Sequence, residues 1–324
     1  MMDGLQLVFV TRRLPDRVRA ELDQAFDVRA HDSEVALDRT KLLIACAGCD
    51  GLVSTPADRI DDELFEAAGP SLRVVANYAV GYDNVELAAA ARRGIVVTNT
   101  PDVLSDATAE LTLALLLALV RRVAEGDRLL RRGASWALAP TFMLGRGLGG
   151  RTLGIVGLGR IGRAVARLAE PFGMRIVYSN RRGPVPDVSY EWLHLDDLLA
   201  QANVVSLHVP LSPETHHLLG ERELRLLGPD AFLVNTTRGP VVDEAALVEA
   251  LRRGDIGGAA LDVFENEPHV PAEFRERENV VLTPHIGSAT LEAREAMGML
   301  CVNALRAVLL EGRVPENALP GSLS

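Results

Sequence analysis

Apolar positions along this chain follow two alternating rhythms. Short runs rich in Val, Ile and Leu at residues 5–10, 51–53, 72–75 and 95–97 predict buried strands. Between them, residues 15–25, 34–45 and 85–92 carry apolar side chains at helical spacing, the first with Pro15 at its start. Strand and helix in alternation predict βαβ units, hence a parallel sheet with helices on both faces. Asn99-Thr100-Pro101-Asp102 is a turn signal and a candidate domain boundary. A single long helix, apolar through its centre, is expected over residues 105–131.

The same rhythm resumes after a glycine-rich connection at residues 145–150. Strands are predicted at 204–209, 231–234, 259–263 and 280–282, separated by helices at 196–201, 221–227 and 243–252. A last helix over 291–310 follows once the second sheet is complete, placed to cross back onto the first domain. The expected fold class is α/β, with two doubly wound parallel-sheet domains. One domain comprises residues 1–101 and 289–324, and the other comprises 102–288.

One segment assigns a ligand class. The strand-like Thr152-Leu153-Gly154-Ile155-Val156 leads directly into Gly157-Leu158-Gly159-Arg160-Ile161-Gly162. Ile161, Ala164, Val165, Leu168, Ala169 and Phe172 then recur at helical spacing, Gly173 stops the helix, and residues 175–178 read as the next strand. In that context the first glycine permits a tight turn, the second lets a pyrophosphate approach the backbone, and the third lets helix and strand pack closely. An acid usually follows at the end of the next strand, where it bonds a ribose hydroxyl and repels a 2′-phosphate. Here the position holds Asn180, followed by Arg181 and Arg182. Loss of the acid and gain of positive charge predict NADP(H) in preference to NAD(H). The competing reading has both arginines pointing to solvent and NAD(H) as the cofactor.

Composition excludes several partners. The net charge of −10 disfavours nucleic acid and anionic membrane surfaces. The apolar run at 111–120 is too short to span a bilayer, and residues 1–10 lack the features of a secretory leader, so a cytoplasmic location is expected. Lys41 is the only lysine and has no motif around it, which leaves little room for Schiff-base chemistry. Cys46 and Cys49 form C-x-x-C, but no second pair completes a metal site. With Cys301 they read as small core residues, and no metal is expected.

Ligands of open α/β sheets bind at the carboxyl ends of the strands. The residues there are His208 and Pro210; Asn235, Thr236, Thr237 and Arg238; Asp262, Glu265 and Glu267; and His285. Singly, each has an ordinary explanation, as a surface ion-pair partner, loop carboxylate or structural imidazole. Together, beside a cofactor loop, they suit hydride transfer to a carbonyl. The oxygen needs a proton donor, for which histidine is suited; a carboxylate can orient the imidazole, and an arginine fork can hold an oxo acid.

These segments resemble the D-isomer-specific 2-hydroxyacid dehydrogenase family, in particular its glyoxylate/hydroxypyruvate reductases. The resemblance is carried by the glycine loop, Asn235 to Gly239, Leu261 to Pro268, Thr283 to Gly287, Asn77 to Asn84 and Asn99 to Thr108, and it covers nearly the whole chain. It implies a Rossmann-type cofactor domain inserted into a flavodoxin-like substrate domain. It implies that Arg238 binds substrate, that His285 is the acid/base and that Glu267 supports it. Val80 and Gly81 would offer backbone N–H groups to the substrate carboxylate. Asp262 would hold the nicotinamide carboxamide, and Thr108 and Thr236 would line the cofactor. Gly157, Gly159, Arg160, Ile161, Gly162, Asn180, Arg181, Arg182, His208, Pro210, Thr215 and Gly287 complete the expected cofactor set.

The implied reaction is reduction of a small 2-oxo acid, glyoxylate or hydroxypyruvate, to the D-2-hydroxy acid. Selection among such acids falls to Ser54-Thr55-Pro56. The resemblance also implies a homodimer built around residues 105–131, with Trp136 beyond it. Glu267 stands where formate dehydrogenases of the superfamily carry an amide, which argues against formate oxidation. The end at Ser324 argues against the branch with an added regulatory domain. Thr237 replaces a small apolar residue common before the arginine. The rival from another class is a non-catalytic NAD(P)-sensing or corepressor-like protein on the same fold, which needs no proton donor.

Overall fold

Strands β1 (Leu7–Val10), β2 (Asp27–Ala30), β3 (Gly51–Ser54), β4 (Val74–Asn77) and β5 (Val96–Thr98) pair in parallel in the order β2-β1-β3-β4-β5. The structure, a computed structural model, describes residues 5–323; residues 1–4 of the segment read for a leader, and Ser324, lie outside the described residues. Both faces of β3 and β4 are buried, as their unbroken apolar runs require. Helices α1 (Asp16–Ala25), α2 (Arg39–Ala45), α3 (Asp62–Ala68) and α4 (Leu87–Arg92) make the crossovers.

The expected and observed elements differ at three places in this unit. The helix expected over 34–45 begins only at Arg39, because the Asp38 side chain caps it by accepting from the Lys41 N–H at 2.9 Å. The preceding Asp27–Ala30 is instead an edge strand, whose polar, half-exposed sequence carries no apolar run. Helix α3 is likewise missing from the predicted elements. Asp61 caps it at Leu64, and its buried face is only Leu64, Phe65 and Ala68.

The second sheet contains β6 (Thr152–Val156), β7 (Arg175–Ser179), β8 (Glu191–Trp192), β9 (Val204–Leu207), β10 (Phe232–Asn235), β11 (Gly258–Leu261) and β12 (Val280–Leu282), all parallel, in the order β12-β11-β10-β9-β6-β7-β8. The chain starts in the middle at β6, runs outward to β8, then returns to β9 on the other side of β6. The carboxyl ends of β6 and β9 therefore flank the topological switch point. Helices α5 (Ser105–Val120), α6 (Val123–Arg131) and α7 (Arg160–Ala169) precede β7 in the chain, with α5 and α7 packed together. Helices α8 (Leu195–Gln201), α9 (Glu221–Leu227), α10 (Glu244–Arg253) and α11 (Ala272–Arg275) follow. Alternation along β6 divides the core. Leu153 and Ile155 pack with Leu115, Leu116 and Val165, whereas Val156 packs with Leu198 and Leu224.

The single helix expected over 105–131 is two helices. Arg122 adopts a left-handed conformation, φ 54°, between α5 and α6. The Val120 carbonyl released at the break accepts the Arg146 N–H at 2.8 Å, so the incoming glycine-rich connection takes the bond that a continuous helix would have used. Helix α7 likewise ends at Ala169, where Pro171 tightens the next turn and Gly173 closes it at φ 74°.

The last helix, α12 (Leu291–Leu309), packs on α1 and β4. Gly298 makes this possible: a Cβ there would lie 2.3 Å from Val18 Cγ2. Internal contacts divide the chain into two units, one of residues up to 104 with those from 289 on, the other of residues 105–288. No helix among the described residues is long and apolar enough to cross a membrane.

Candidate active site

In the unit of residues 105–288, the glycine loop after β6 has the geometry that a dinucleotide needs. Gly157 has φ 97°, and a Cβ on it would lie 2.6 Å from the His208 carbonyl oxygen. A Cβ on Gly162 would lie 2.3 Å from the Gly157 oxygen, so only glycine lets α7 pack this close to the turn. Gly159, the residue before α7, faces open space, with nothing within 4 Å of a Cβ placed on it. Open room at a helix start, where backbone N–H groups lack helical partners, fits a pyrophosphate. Arg160 and Ile161 form the first turn of α7.

Asn180 lies directly after β7 and its Oδ1 accepts the Leu158 N–H at 2.7 Å. Its carbonyl side is thus spent on the glycine loop, leaving the amide N–H₂ as the end available to a ligand. Arg181 is exposed and pairs with Glu214 at 3.3 Å, and Arg182 is exposed beside it. Across the switch point, the loop after β9 is knit internally. Thr215 Oγ1 donates to the Pro210 carbonyl at 2.6 Å, and the Ser212 N–H donates to the same hydroxyl. His208 meets Ser206 through Nε2 at 2.8 Å, while its Nδ1 is buried without a hydrogen-bond partner. Burial pushes the His208 imidazole down to about 3, so it is neutral in the fold.

The turn after β10 is braced by Asn235. Its Oδ1 accepts from the Thr237 N–H and hydroxyl at 3.0 and 2.9 Å, and its Nδ2 donates to the Arg238 carbonyl at 3.0 Å. Arg238 Nη1 donates to the Thr237 carbonyl at 2.9 Å. Thr236 meets Thr112 through their hydroxyls at 3.0 Å, in a buried position. Thr112 is not among the residues singled out from the sequence. A hydroxyl one turn beyond Thr108, inside the apolar run at 111–120, is its signal, and Thr112 Oγ1 donates to the Thr108 carbonyl at 2.8 Å.

Asp262 directly follows β11 and is fully buried. Its Oδ1 accepts from Thr283 Oγ1 at 2.6 Å and from the Ile286 N–H at 2.8 Å; Oδ2 accepts from the Gly287 N–H at 2.8 Å. The His285 N–H donates to the Asp262 carbonyl, also at 2.8 Å. Burial raises the Asp262 carboxyl above its ordinary value despite these bonds. The network holds His285 at φ 53°, a left-handed backbone that needs such over-determination in a residue with a bulky side chain. A Cβ on Gly287 would lie 3.6 Å from Thr108 Oγ1, which places Thr108 beside this turn.

His285 Nδ1 then lies 2.7 Å from Glu267 Oε2, and Glu267 Oε1 accepts the Phe264 N–H at 3.0 Å. Burial by itself would raise the Glu267 carboxyl. The His285 bond and charge, the Phe264 N–H and the charge of Arg238 outweigh it and hold the group below the ordinary glutamate value. Glu267 is therefore a carboxylate, an acceptor only, and its partner Nδ1 must carry a hydrogen. The pair uses Nδ1 and leaves Nε2 as the other ring nitrogen. Of the two loop carboxylates singled out, Glu265 is not part of this pair; it bonds His217 Nε2 at 2.8 Å. Val80 and Gly81 belong to the other unit, in the loop after β4. Asn99 Nδ2 donates to the Val80 carbonyl at 2.8 Å and Asn77 Nδ2 to the Gly81 carbonyl at 2.9 Å.

The chain is similar to known proteins over nearly its whole length. The family model described as the D-isomer specific 2-hydroxyacid dehydrogenase, NAD binding domain, matches residues 113–287. The glyoxylate reductase of Thermococcus litoralis is 46% identical over 96% of this chain and 95% of its own. A crystal structure of a Thermus thermophilus protein superposes with a TM-score of 0.91 at 48% identity, covering 97% of this chain and all of that one. The NADPH-dependent glyoxylate/hydroxypyruvate reductase of Sinorhizobium meliloti, solved with NADP and malonate, has a TM-score of 0.85 at 35% identity over 98% of both chains. The match to the NAD-binding domain indicates a nicotinamide cofactor. With the parallel sheet, the glycine loop and the imidazole–carboxylate pair at its edge, this protein belongs to the D-isomer specific 2-hydroxyacid dehydrogenase family.

Proposed function

We propose that this protein reduces a small 2-oxo acid, glyoxylate or hydroxypyruvate, to its D-2-hydroxy acid with NADPH. The observation that carries the reading is the His285 Nδ1–Glu267 Oε2 pair at 2.7 Å. A bound nicotinamide supplies the hydride; the residues of this chain handle the proton and the charge. As hydride reaches the carbonyl carbon, negative charge builds on its oxygen. His285 delivers a proton there from Nε2, and the Glu267 carboxylate fixes the ring through Nδ1. Arg238 binds the anionic substrate with its planar fork. The peptide N–H groups of Val80 and Gly81 are assigned to the substrate carboxylate. The glyoxylate reductase of Thermococcus litoralis and the Sinorhizobium meliloti enzyme support the substrate class. A protein that only senses nucleotide has no use for the imidazole–carboxylate pair.

For NADPH, the support is Asn180, whose side chain lies at the end of β7 with its N–H₂ presented outward, and the exposed Arg181 and Arg182 after it. Gly157, Gly159, Arg160, Ile161 and Gly162 hold the pyrophosphate. Thr108, Thr236, His208, Pro210, Thr215 and Gly287 line the remainder, and Asp262 Oδ2, which accepts one hydrogen bond from the chain, faces the carboxamide role. The exposed apolar side chains Leu130, Trp136, Leu138 and Leu144 support pairing of two copies through this region. Free, buried Cys46, Cys49 and Cys301 fit a reducing, cytoplasmic setting. The experiment is steady-state reduction of glyoxylate, hydroxypyruvate and longer 2-oxo acids with each cofactor. Absence of turnover with all of them would overturn the activity, and a roughly tenfold preference for NADH, worth about 1.4 kcal/mol, would overturn the cofactor assignment.

A further inference from the structure

The mechanism leaves one group of titratable residues beside the site unused. His217, Asp243 and Glu265 bring potential ligand atoms within 4.8 Å of one another, an arrangement that could suggest a metal ion. Their bonds point elsewhere. Glu265 Oε1 accepts from His217 Nε2 at 2.8 Å and from the Glu244 N–H at 3.2 Å, and Asp243 Oδ1 accepts the Ala246 N–H at 2.9 Å as the cap of α10. In return, Glu244 Oε1 accepts the Glu265 N–H at 2.8 Å.

Glu244 and Glu265 thus grip each other reciprocally, side chain to backbone in both directions. The grip joins two segments that carry the proposed chemistry. Glu244 ends the short stretch that begins at Arg238, and Glu265 opens the turn that ends at Glu267. Between them the backbones pass so closely that a Cβ on Gly239 would lie 1.9 Å from the Phe264 carbonyl carbon. His217, at φ 51°, ties the same junction from a third side: its N–H donates to the Pro240 carbonyl at 2.7 Å and its ring holds Glu265.

We propose that Glu244 is a positioning residue, which holds the 264–267 turn against the 238–244 segment and so sets Glu267 beside both His285 and Arg238. Glu244 touches neither substrate nor cofactor in this role; it acts through the backbone N–H of Glu265. That Arg238 contributes to holding Glu267 ionised, and that Glu267 takes the Phe264 N–H within the same turn, shows how directly the turn's placement reaches the pair. The inference rests on the reading of His285 and Glu267 as the acid/base pair.

The test uses the full-length protein with Glu244→Ala, which removes the acceptor, and Glu244→Gln, which keeps a carbonyl oxygen for the Glu265 N–H. Turnover of the alanine variant should fall about 10-fold, below the ~10² that an ångström-scale misplacement of reacting groups costs. The KM for cofactor should stay within about twofold, and the glutamine variant should recover most of the turnover. In a Glu267→Gln background the alanine substitution should cost less than about twofold, because its route to the chemistry is already cut. Equal losses in both backgrounds, or no loss at all, overturn the proposal. A second readout needs no turnover. In protein carrying ¹⁵N-labelled histidine, the Nδ1–H form of His285, assigned with His285→Ala, should lose population in Glu244→Ala as it does in Glu267→Gln. An unchanged His285 signal overturns the positioning role even if the wild-type protein reduces no 2-oxo acid, whereas an inactive wild type with a shifted signal overturns only the proposed reaction.

Discussion

Glu267 and His285 stand on successive connections at one sheet edge, after β11 and after β12, and Oε2 of the first lies 2.7 Å from Nδ1 of the second. The pair leaves Nε2 as the ring nitrogen for proton transfer in the proposed reaction. His285→Ala should lower turnover by roughly 10²–10⁴, the range for loss of a general acid. Cofactor affinity, measured by fluorescence titration, should change little. Near-normal turnover in this variant would remove His285 from the mechanism.

Arg238 should contribute mainly to holding the substrate. Arg238→Lys keeps the charge but loses the fork, and the turn braced by Asn235 remains intact. Loss of a charge-assisted hydrogen bond of about 1.5–3 kcal/mol should raise the substrate KM roughly 10- to 100-fold. A variant in which only NADPH binding weakens would contradict the assignment.

Gly239→Ala tests the close approach of the two site segments independently of catalysis. The added methyl would lie 1.9 Å from the Phe264 carbonyl carbon and 2.3 Å from the Glu265 nitrogen, so backbone must move. A cost of about 3 kcal/mol follows for overpacking against main chain. Thermal unfolding should shift down by roughly 10 °C. A variant melting with the wild type would show that the segments can separate freely.

Cofactor choice should turn on residue 180. Asn180→Asp retains an oxygen to accept the Leu158 N–H, so the glycine loop keeps its support. The new charge would repel a 2′-phosphate and accept from a 2′-hydroxyl. The ratio of kcat/KM for NADPH to that for NADH should drop by about tenfold or more, on the order of one unfavourable charge contact. An unaltered ratio would place cofactor discrimination elsewhere.

His208 predicts a pH dependence of stability. Its folded value, about 3, lies below the roughly 6.5 of an unfolded histidine. Between these limits the unfolded chain binds a proton that the folded one refuses, so its contribution is fully present above pH about 6.5 and falls as pH drops toward 3. Urea unfolding at about pH 7.5 and about pH 5, on either side of the unfolded value, should therefore show a larger loss in wild type than in His208→Gln. Equal losses in the two proteins would mean that His208 is accessible to protons in the fold.

Much of the architecture was legible because its signals are local. Buried parallel strands need continuous apolar runs, and β3, β4, β6 and β9 carry them; the glycines of the cofactor loop are demanded by steric limits within a few residues. The elements that escaped were the ones with weak local patterns. Strand β2 is half-exposed at an edge, β8 has two residues, and the break at Arg122 depends on Arg146 reaching the Val120 carbonyl.

At the site, the order of residues along the chain already tells which chemical groups end the strands: a guanidinium, carboxylates and imidazoles beside a dinucleotide loop. The family resemblance pairs Glu267 with His285, and the fold supplies the geometry that keeps Glu265 out of that pair. Glu265 and Glu267 are near neighbours in the chain and chemically identical, yet one bonds His217 and the other His285. Which carboxylate meets which imidazole depends on where the loops after β9 and β12 pass, on the Glu244–Glu265 grip that holds the turn carrying both carboxylates, and on the Asp262 network that holds His285. Those bonds join residues 21 to 25 positions apart, so no local pattern carries them.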